Sequence, residues 1–228
     1  MTTPAGPLPA GASPAPILRV SALCFGYPQQ PLFDHWSHDF PAGLTWIEGD
    51  NGCGKSTLLD LLAGILAPTA GMRTLNGIDA DRQPAQYRDA IARYAPAPPG
   101  EAPDGRDVQE SARAMLRRVT GDGPDDADSP VGGWVAAMGL ADFLDKPLAH
   151  LSKGSRRKVD LVAAILRPTA AIVLDEPLAA LDLRSQSVVQ ACLAQAARQH
   201  RRIWIVASHE ALTGAGDDVH RLRLPSVG

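Results

Sequence analysis

No stretch of this 228-residue chain offers the ~18–20 consecutive apolar residues that a membrane-spanning helix needs. Any work at a membrane is therefore expected to run through a partner. Residues 1–16 lack the basic flank and the apolar stretch of a secretory leader. Their five prolines, set among Ala and Gly, instead suggest a flexible, extended tail. Cysteine is scarce: Cys24, Cys53 and Cys192 are odd in number, scattered and without metal-ligand spacing. That excludes a disulfide framework and fits the reduced thiols of a cytoplasmic protein. Positive charge is not in excess, with 22 Lys and Arg against 25 Asp and Glu and a net charge of −3. A nucleic-acid surface is thus not the main business of the chain, and no nucleic acid is expected as a partner. Nor is there an internal repeat, so the 228 residues read as one unit rather than a tandem pair.

What is present begins with Gly49-Asp50-Asn51-Gly52-Cys53-Gly54-Lys55-Ser56-Thr57, a full match to G-x-x-x-x-G-K-[ST]. Gly49, Gly52 and Gly54 allow the turn conformations that side chains resist. The loop's N–H groups can then converge on nucleotide phosphates. Lys55 brings a positive charge to the β- and γ-phosphates, and the Ser56 hydroxyl can ligate Mg²⁺. The flanks agree: Leu44 to Ile47 reads as a buried strand and Thr57 to Ala63 as a helix, whose N-terminus adds its dipole to the phosphate site. Cys53 reads as a small residue filling a permissive slot of the loop, with redox sensitivity as the alternative.

Along the chain, Ile17 to Val20 and Ala22 to Phe25 read as two short strands, and Leu32 to Phe40 alternates as a half-buried strand does. The post-loop helix is expected to end near Pro68, followed by a strand over Met72 to Leu75. Tyr87 to Tyr94 is ambiguous. Pro96 to Gly105 is a loop. Val108 to Val119 and Val131 to Phe143 have helical character, and the acidic segment between them is expected to be solvated. Strand–helix alternation resumes with Ala170 to Leu174, a helix from Leu183, and Ile203 to Ala207, implying a mainly parallel sheet.

Two further motifs narrow the chemistry. The apolar strand Ala170 to Leu174 ends in Asp175-Glu176. Asp175 can hold Mg²⁺ through water, and Glu176 can polarise an attacking water. Upstream, Leu151-Ser152-Lys153-Gly154-Ser155 opens a helix, either as a simple N-cap or as an anion-binding turn.

Taken in order, the phosphate loop, Leu151 to Ser155, the strand ending Asp175-Glu176, Ala180-Leu181-Asp182 and Ser208-His209 resemble the nucleotide-binding domain of ATP-binding cassette (ABC) transporters. The resemblance covers residues 17 to about 220. It implies an α/β fold: a P-loop NTPase of ABC type, with a mainly parallel core sheet, an antiparallel β subdomain and a helical subdomain. Residues 17–228 would form this domain, with the helical subdomain over about 96–150. ATP and Mg²⁺ would be bound, Lys55, Glu176 and His209 would act in hydrolysis, and Asp175 and Ser56 would hold the metal. Ser152 and Gly154 would meet the ATP of an opposite cassette, in a homodimer or heterodimer. Asp182 would communicate across that interface, His209 would contact the γ-phosphate and Glu176, and Tyr27, with Phe25 as second choice, would stack on adenine. The further partner would be a separate transmembrane permease subunit, placing the chain at the cytoplasmic face of the inner membrane. Within the family, the short stretch after His209, with Ile47-Glu48-Gly49 and Pro99-Gly100, resembles small exporter cassettes, the haem-exporter ATPase of cytochrome c maturation among them; drug, peptide and polysaccharide exporters also fit. A soluble ABC ATPase or a hydrolysis-impaired regulator is the alternative. A GTPase is not favoured, because Asn-Lys-x-Asp is absent.

The chain departs from that family where a Gln is expected, at Ala97 or Pro98. Gln86 and Gln109 lie on either side but outside the pattern. Restoring Gln at 97 or 98 is expected to raise the ATPase rate or its stimulation by a partner; unchanged kinetics would make the loss immaterial.

Overall fold

The structure, a computed structural model, describes residues 15–28, 30–96, 109–126, 128–214 and 216–225. The N-terminal tail through residue 14 and positions 97 and 98 lie outside the described residues. In chain order the elements are β1 (Ile17–Tyr27), β2 (Gln30–Pro41), β3 (Gly43–Glu48), α1 (Lys55–Leu62), β4 (Ala70–Leu75), β5 (Ile78–Asp79), α2 (Pro84–Asp89) and β6 (Ile91–Tyr94). They continue with α3 (Ala112–Thr120), α4 (Pro130–Ala137), α5 (Lys153–Leu166), β7 (Ala171–Asp175), α6 (Leu183–Gln199), β8 (Ile203–Ala207) and β9 (Val219–Arg223).

Every residue of β7 and β8 is buried, as strands covered on both faces must be. They form the centre of a five-stranded sheet of order β6-β7-β8-β3-β9, parallel throughout. The pleat sends alternate residues to opposite cores. Ile172, Leu174, Trp204 and Val206 pack with the buried faces of α3 to α6. Ala171, Val173, Ile203 and Ile205 face α1 and the second sheet. That second sheet is antiparallel, of order β2-β1-β4-β5. The parallel core, the antiparallel sheet and the added helices together make the expected P-loop cassette.

The two short strands expected at the start are one, β1. Its register slips between Val20 and Leu23, where Ala22 takes φ 48°. This is a bulge rather than a turn, and Ser37 Oγ accepts the Ala22 N–H at 2.8 Å. Gly71 opposite lies so close that a Cβ there would sit 2.5 Å from the Ala22 carbonyl oxygen. The ambiguous stretch 87–94 divides into the end of α2 and edge strand β6. Residues 131–143 hold α4 and then a single 3-10 turn over Ala141–Phe143, broken at Gly139, which takes φ 66°. In the acidic segment, Asp125 pairs with Arg113 and Arg117 rather than being wholly solvated. Burial pushes the Cys192 thiol up to about 11, so it stays neutral near pH 7.

Helix α1 stops at Leu62, well before Pro68, because Gly64 turns left-handed at φ 70° and the Ile65 N–H closes back on the Asp60 carbonyl at 2.9 Å; a buried cation then braces that end. Arg73 of β4 is 2% exposed, and its Nη1 donates to the carbonyls of Leu61 at 2.6 Å and Leu66 at 2.8 Å. Its Nη2 reaches Asp81 at 2.8 Å. A last-turn carbonyl of α1 and one from the segment after it are thus tied to the neighbouring sheet. Arg73→Met is expected to lower unfolding free energy by about 2–3 kcal/mol, because buried acceptors lose a charged donor. Asp81→Asn is expected to cost under about 1 kcal/mol, since Asp81 is half exposed. Urea titration of both variants checks the order; equal losses would mean the carbonyl contacts contribute little.

Candidate nucleotide site

The carboxyl ends of β3, β7 and β8 lie side by side, since Ile47 and Asp175 both pair in register with Ala207. At this edge an open cleft of about 340 Å³ is lined by Tyr27, Gln30, Leu32, Asn51, Gly52, Gly54, Lys55, Ser56, Thr57, Asp175, Glu176 and His209. Residues up to 182 positions apart in the chain meet there because each follows directly on a parallel strand or on the β1–β2 hairpin.

The loop after β3 enters α1 through Gly54 at φ 94°, and no side chain caps the helix. By contrast α3, α4, α5 and α6 are capped by Ser111, Ser129, Ser152 and Asp182, each accepting a backbone N–H. The first-turn N–H groups of α1 are left for a ligand, and the helix dipole favours an anionic one. Lys55 is buried, and its Nζ donates to the Gly49 carbonyl at 2.7 Å and the Asp50 carbonyl at 2.9 Å. An ammonium has a third hydrogen, available to the cleft. Cys53 lies beneath the loop, 4% exposed, with its Sγ 2.6 Å from where a Cβ on Gly49 would stand. The loop therefore packs on this thiol, as a small filling residue would allow.

Asp175 ends β7 inside the sheet, and Glu176 follows in the left-handed region at φ 44°. A non-glycine residue there is strained. The Glu176 N–H still donates to the Ala207 carbonyl at 2.8 Å, prolonging the ladder while the side chain turns to the cleft. His209 N–H donates to Glu176 Oε2 at 3.3 Å, and its Nε2 lies 3.3 Å from Oε1. Oε1 is buried and makes no aligned hydrogen bond. The Trp46 indole donates to the Ser208 carbonyl at 3.2 Å, fixing the turn that carries His209.

Residues 34–179 match the family described as ABC transporter. The chain belongs to that family. It is 33% identical to the cytochrome c biogenesis ATP-binding export protein CcmA of Pseudomonas syringae pv. syringae, over 86% of this chain and 90% of that protein. It is 31% identical to the taurine import ATP-binding protein TauB of Roseobacter denitrificans, over 76% of this chain and 62% of that protein. The solved ATP-binding subunit of an ABC transporter superposes with a TM-score of 0.68 over 85% of this chain and 79% of the other, at 22% identity, a likeness of fold. As a member of the ABC transporter family, this chain is an ATP-binding subunit and an ATPase.

Not every expected residue of the ABC cassette lines the cleft. Ser152 and Gly154 are exposed at the start of α5, and Asp182 caps α6. Asp182 Oδ1 accepts the Ser185 N–H at 2.9 Å, and Oδ2 lies 2.5 Å from Lys158 Nζ of α5. The lysine contact, then the helix N–H, hold the Asp182 carboxyl far below the usual range. Gly49 and Asp50 line a smaller neighbouring hollow with Arg223, Leu224 and Pro225. Gln30 and Leu32 were not singled out from sequence; their signal is the hairpin pairing of Gln30 with Tyr27.

The Tyr27 ring is half exposed at the cleft, and its hydroxyl lies 3.4 Å from Thr57 Oγ1. Phe25 packs against the core beneath it, edge-on to Tyr27. Tyr27→Ala is expected to weaken ATP binding by roughly tenfold, the worth of one base–aromatic stack. Phe25→Ala is expected to lower the melting temperature more than the affinity. The reverse pattern in calorimetry would assign adenine to Phe25.

Proposed function

We propose that this chain is the ATPase subunit of an exporter, driven by ATP-dependent head-to-tail closure of two cassettes beneath a separate transmembrane permease. The observation that carries the reading is the convergence of Lys55, Ser56, Asp175, Glu176 and His209 on one cleft, with Ser152, Gly154 and Asp182 outside it. A γ-phosphate in this cleft would meet half of its expected contacts, and a second cassette would supply the rest.

In this mechanism the α1 N–H groups and Lys55 bind and orient the β- and γ-phosphates. The Glu176 carboxylate accepts a proton from the attacking water, and His209 holds that carboxylate in place and donates toward the γ-phosphate. The oxygen donors Ser56 and Asp175 suit Mg²⁺, which keeps several waters and would neutralise charge between the phosphates. Asp182 and Lys158 brace the start of α6 against α5, the helix that presents Ser152.

Export is favoured by the more complete match to the CcmA protein, whose name states export, than to TauB, whose name states import. No helix among the described residues is long and apolar enough to cross a membrane. By analogy with the family we place the chain at the cytoplasmic face, docked on the permease through the helical subdomain of about residues 96–150. A regulator with lost catalysis is not favoured, because the Glu176–His209 pair is intact.

Glu176→Gln is expected to keep ATP affinity while turnover falls by at least ~10², the usual share of a general base. Phosphate release and nucleotide binding measured on the same preparation check this. Unchanged turnover would remove Glu176 from the role.

A further inference from the structure

Arg93 is a cation in an otherwise apolar edge strand, Ile91-Ala92-Arg93-Tyr94, and its side chain is only 10% exposed. Its Nε donates to Asp60 Oδ1 at 3.0 Å, and Nη2 lies 2.9 Å from the same oxygen. Nη2 also donates to Asp175 Oδ2 at 3.2 Å, and Nη1 donates to the Tyr94 carbonyl. A buried guanidinium needs such partners. Its choice of them is informative: one carboxylate belongs to α1, the other ends β7 in the nucleotide cleft.

We propose that Arg93 is a positioning residue that clamps Asp175 to Asp60 and so fixes the Mg²⁺-facing carboxylate relative to the phosphate loop. This rests on the reading of Asp175 as the residue that faces Mg²⁺. Asp60 lies one helical turn after Ser56, on the same face of α1. Tying Asp60 to Asp175 therefore sets the distance between the two oxygen donors, Ser56 on the helix and Asp175 on the strand. The planar fork of Arg suits this bridge, whereas a Lys ammonium offers a point charge. Asp60 also matters for charge. Between two carboxylates the guanidinium leaves the trio with one net negative charge. Without Asp60 its positive charge would act on Asp175 alone and oppose a dication. The contact occupies Oδ2 and leaves Oδ1 of Asp175 to the cleft.

The test is the Mg²⁺ enhancement of ATP binding: the ratio of ATP affinity in Mg²⁺ to that in EDTA, by calorimetry on the full chain, beside melting temperature. Arg93→Met is expected to cut the ratio roughly tenfold, as loss of an outer partner of a metal ligand does, with the EDTA affinity within about twofold of wild type. Asp60→Asn is expected to cut it severalfold, and it decides alone if Arg93→Met does not fold. A merely structural bridge would lower the melting temperature and leave the ratio unchanged in both variants, which overturns the proposal. Asp175→Asn separates the two layers. If it abolishes the enhancement while the other variants keep it, the clamp is wrong and the role of Asp175 stands. If it preserves the enhancement, the role of Asp175 falls and the clamp with it.

Discussion

Parallel pairing of β3, β7 and β8 is the constraint on which the rest of this molecule depends. Adjacent strands lie about 4.8 Å apart, so three carboxyl ends in register fall within roughly 10 Å of one another. Ile47, Ala207 and Asp175 share that line. Each strand then needs only its next residues to deliver chemistry: the phosphate loop after β3, Glu176 after β7, His209 after β8. Burial on both faces fixes the register, because a slip of one residue would exchange the two cores that Ile172 and Val173 serve. The geometry of the proposed site is thus a by-product of packing two apolar layers. The strain at Glu176 is local, and the ladder bond to Ala207 holds it.

Helix capping divides the labour. Helix α2 opens on a proline that has no N–H to answer, and α3 to α6 have their N-terminal groups answered by Ser or Asp side chains. Helix α1, which starts in the cleft, has none, and its loop is stiffened from below by Cys53 and from within by Lys55. The same contrast explains why Ser152 could be read in two ways. Its hydroxyl does cap α5, accepting from Ser155, yet it stands exposed on a face away from its own cleft. Capping within the chain and presentation to a second chain are compatible roles for one residue.

Much of this was legible in the sequence because the informative motifs are contiguous. A glycine-rich loop between an apolar strand and a helix, or an apolar strand ending in Asp175-Glu176, carries its context with it, and their order gave the family. Long-range pairings were harder to read. The bulge at Ala22 leaves no periodic mark, so β1 read as two strands. The early end of α1 turns on Gly64, an unremarked glycine inside an apolar run, and the Arg73 contact that braces it comes from the sheet. Strand β9 alternates weakly at a half-exposed edge and has little apolar signal. Arg93 offered one hint, a lone charge in a short apolar run, but its partners are 33 and 82 residues away.

The central proposal is that each working site is shared between two cassettes, and subunit mixing tests it most directly for two copies of this chain. Lys55→Ala removes the phosphate lysine, and Ser152→Ala removes the hydroxyl expected across the interface. Each variant alone should hydrolyse ATP poorly. In a mixture, one dimer in two forms with both lesions on the same composite site and leaves the other site whole. Recovery of ATPase activity on mixing, well above the sum of the two separate rates, is the expected result. A mixture that shows only that sum would contradict a site shared between two copies of this chain.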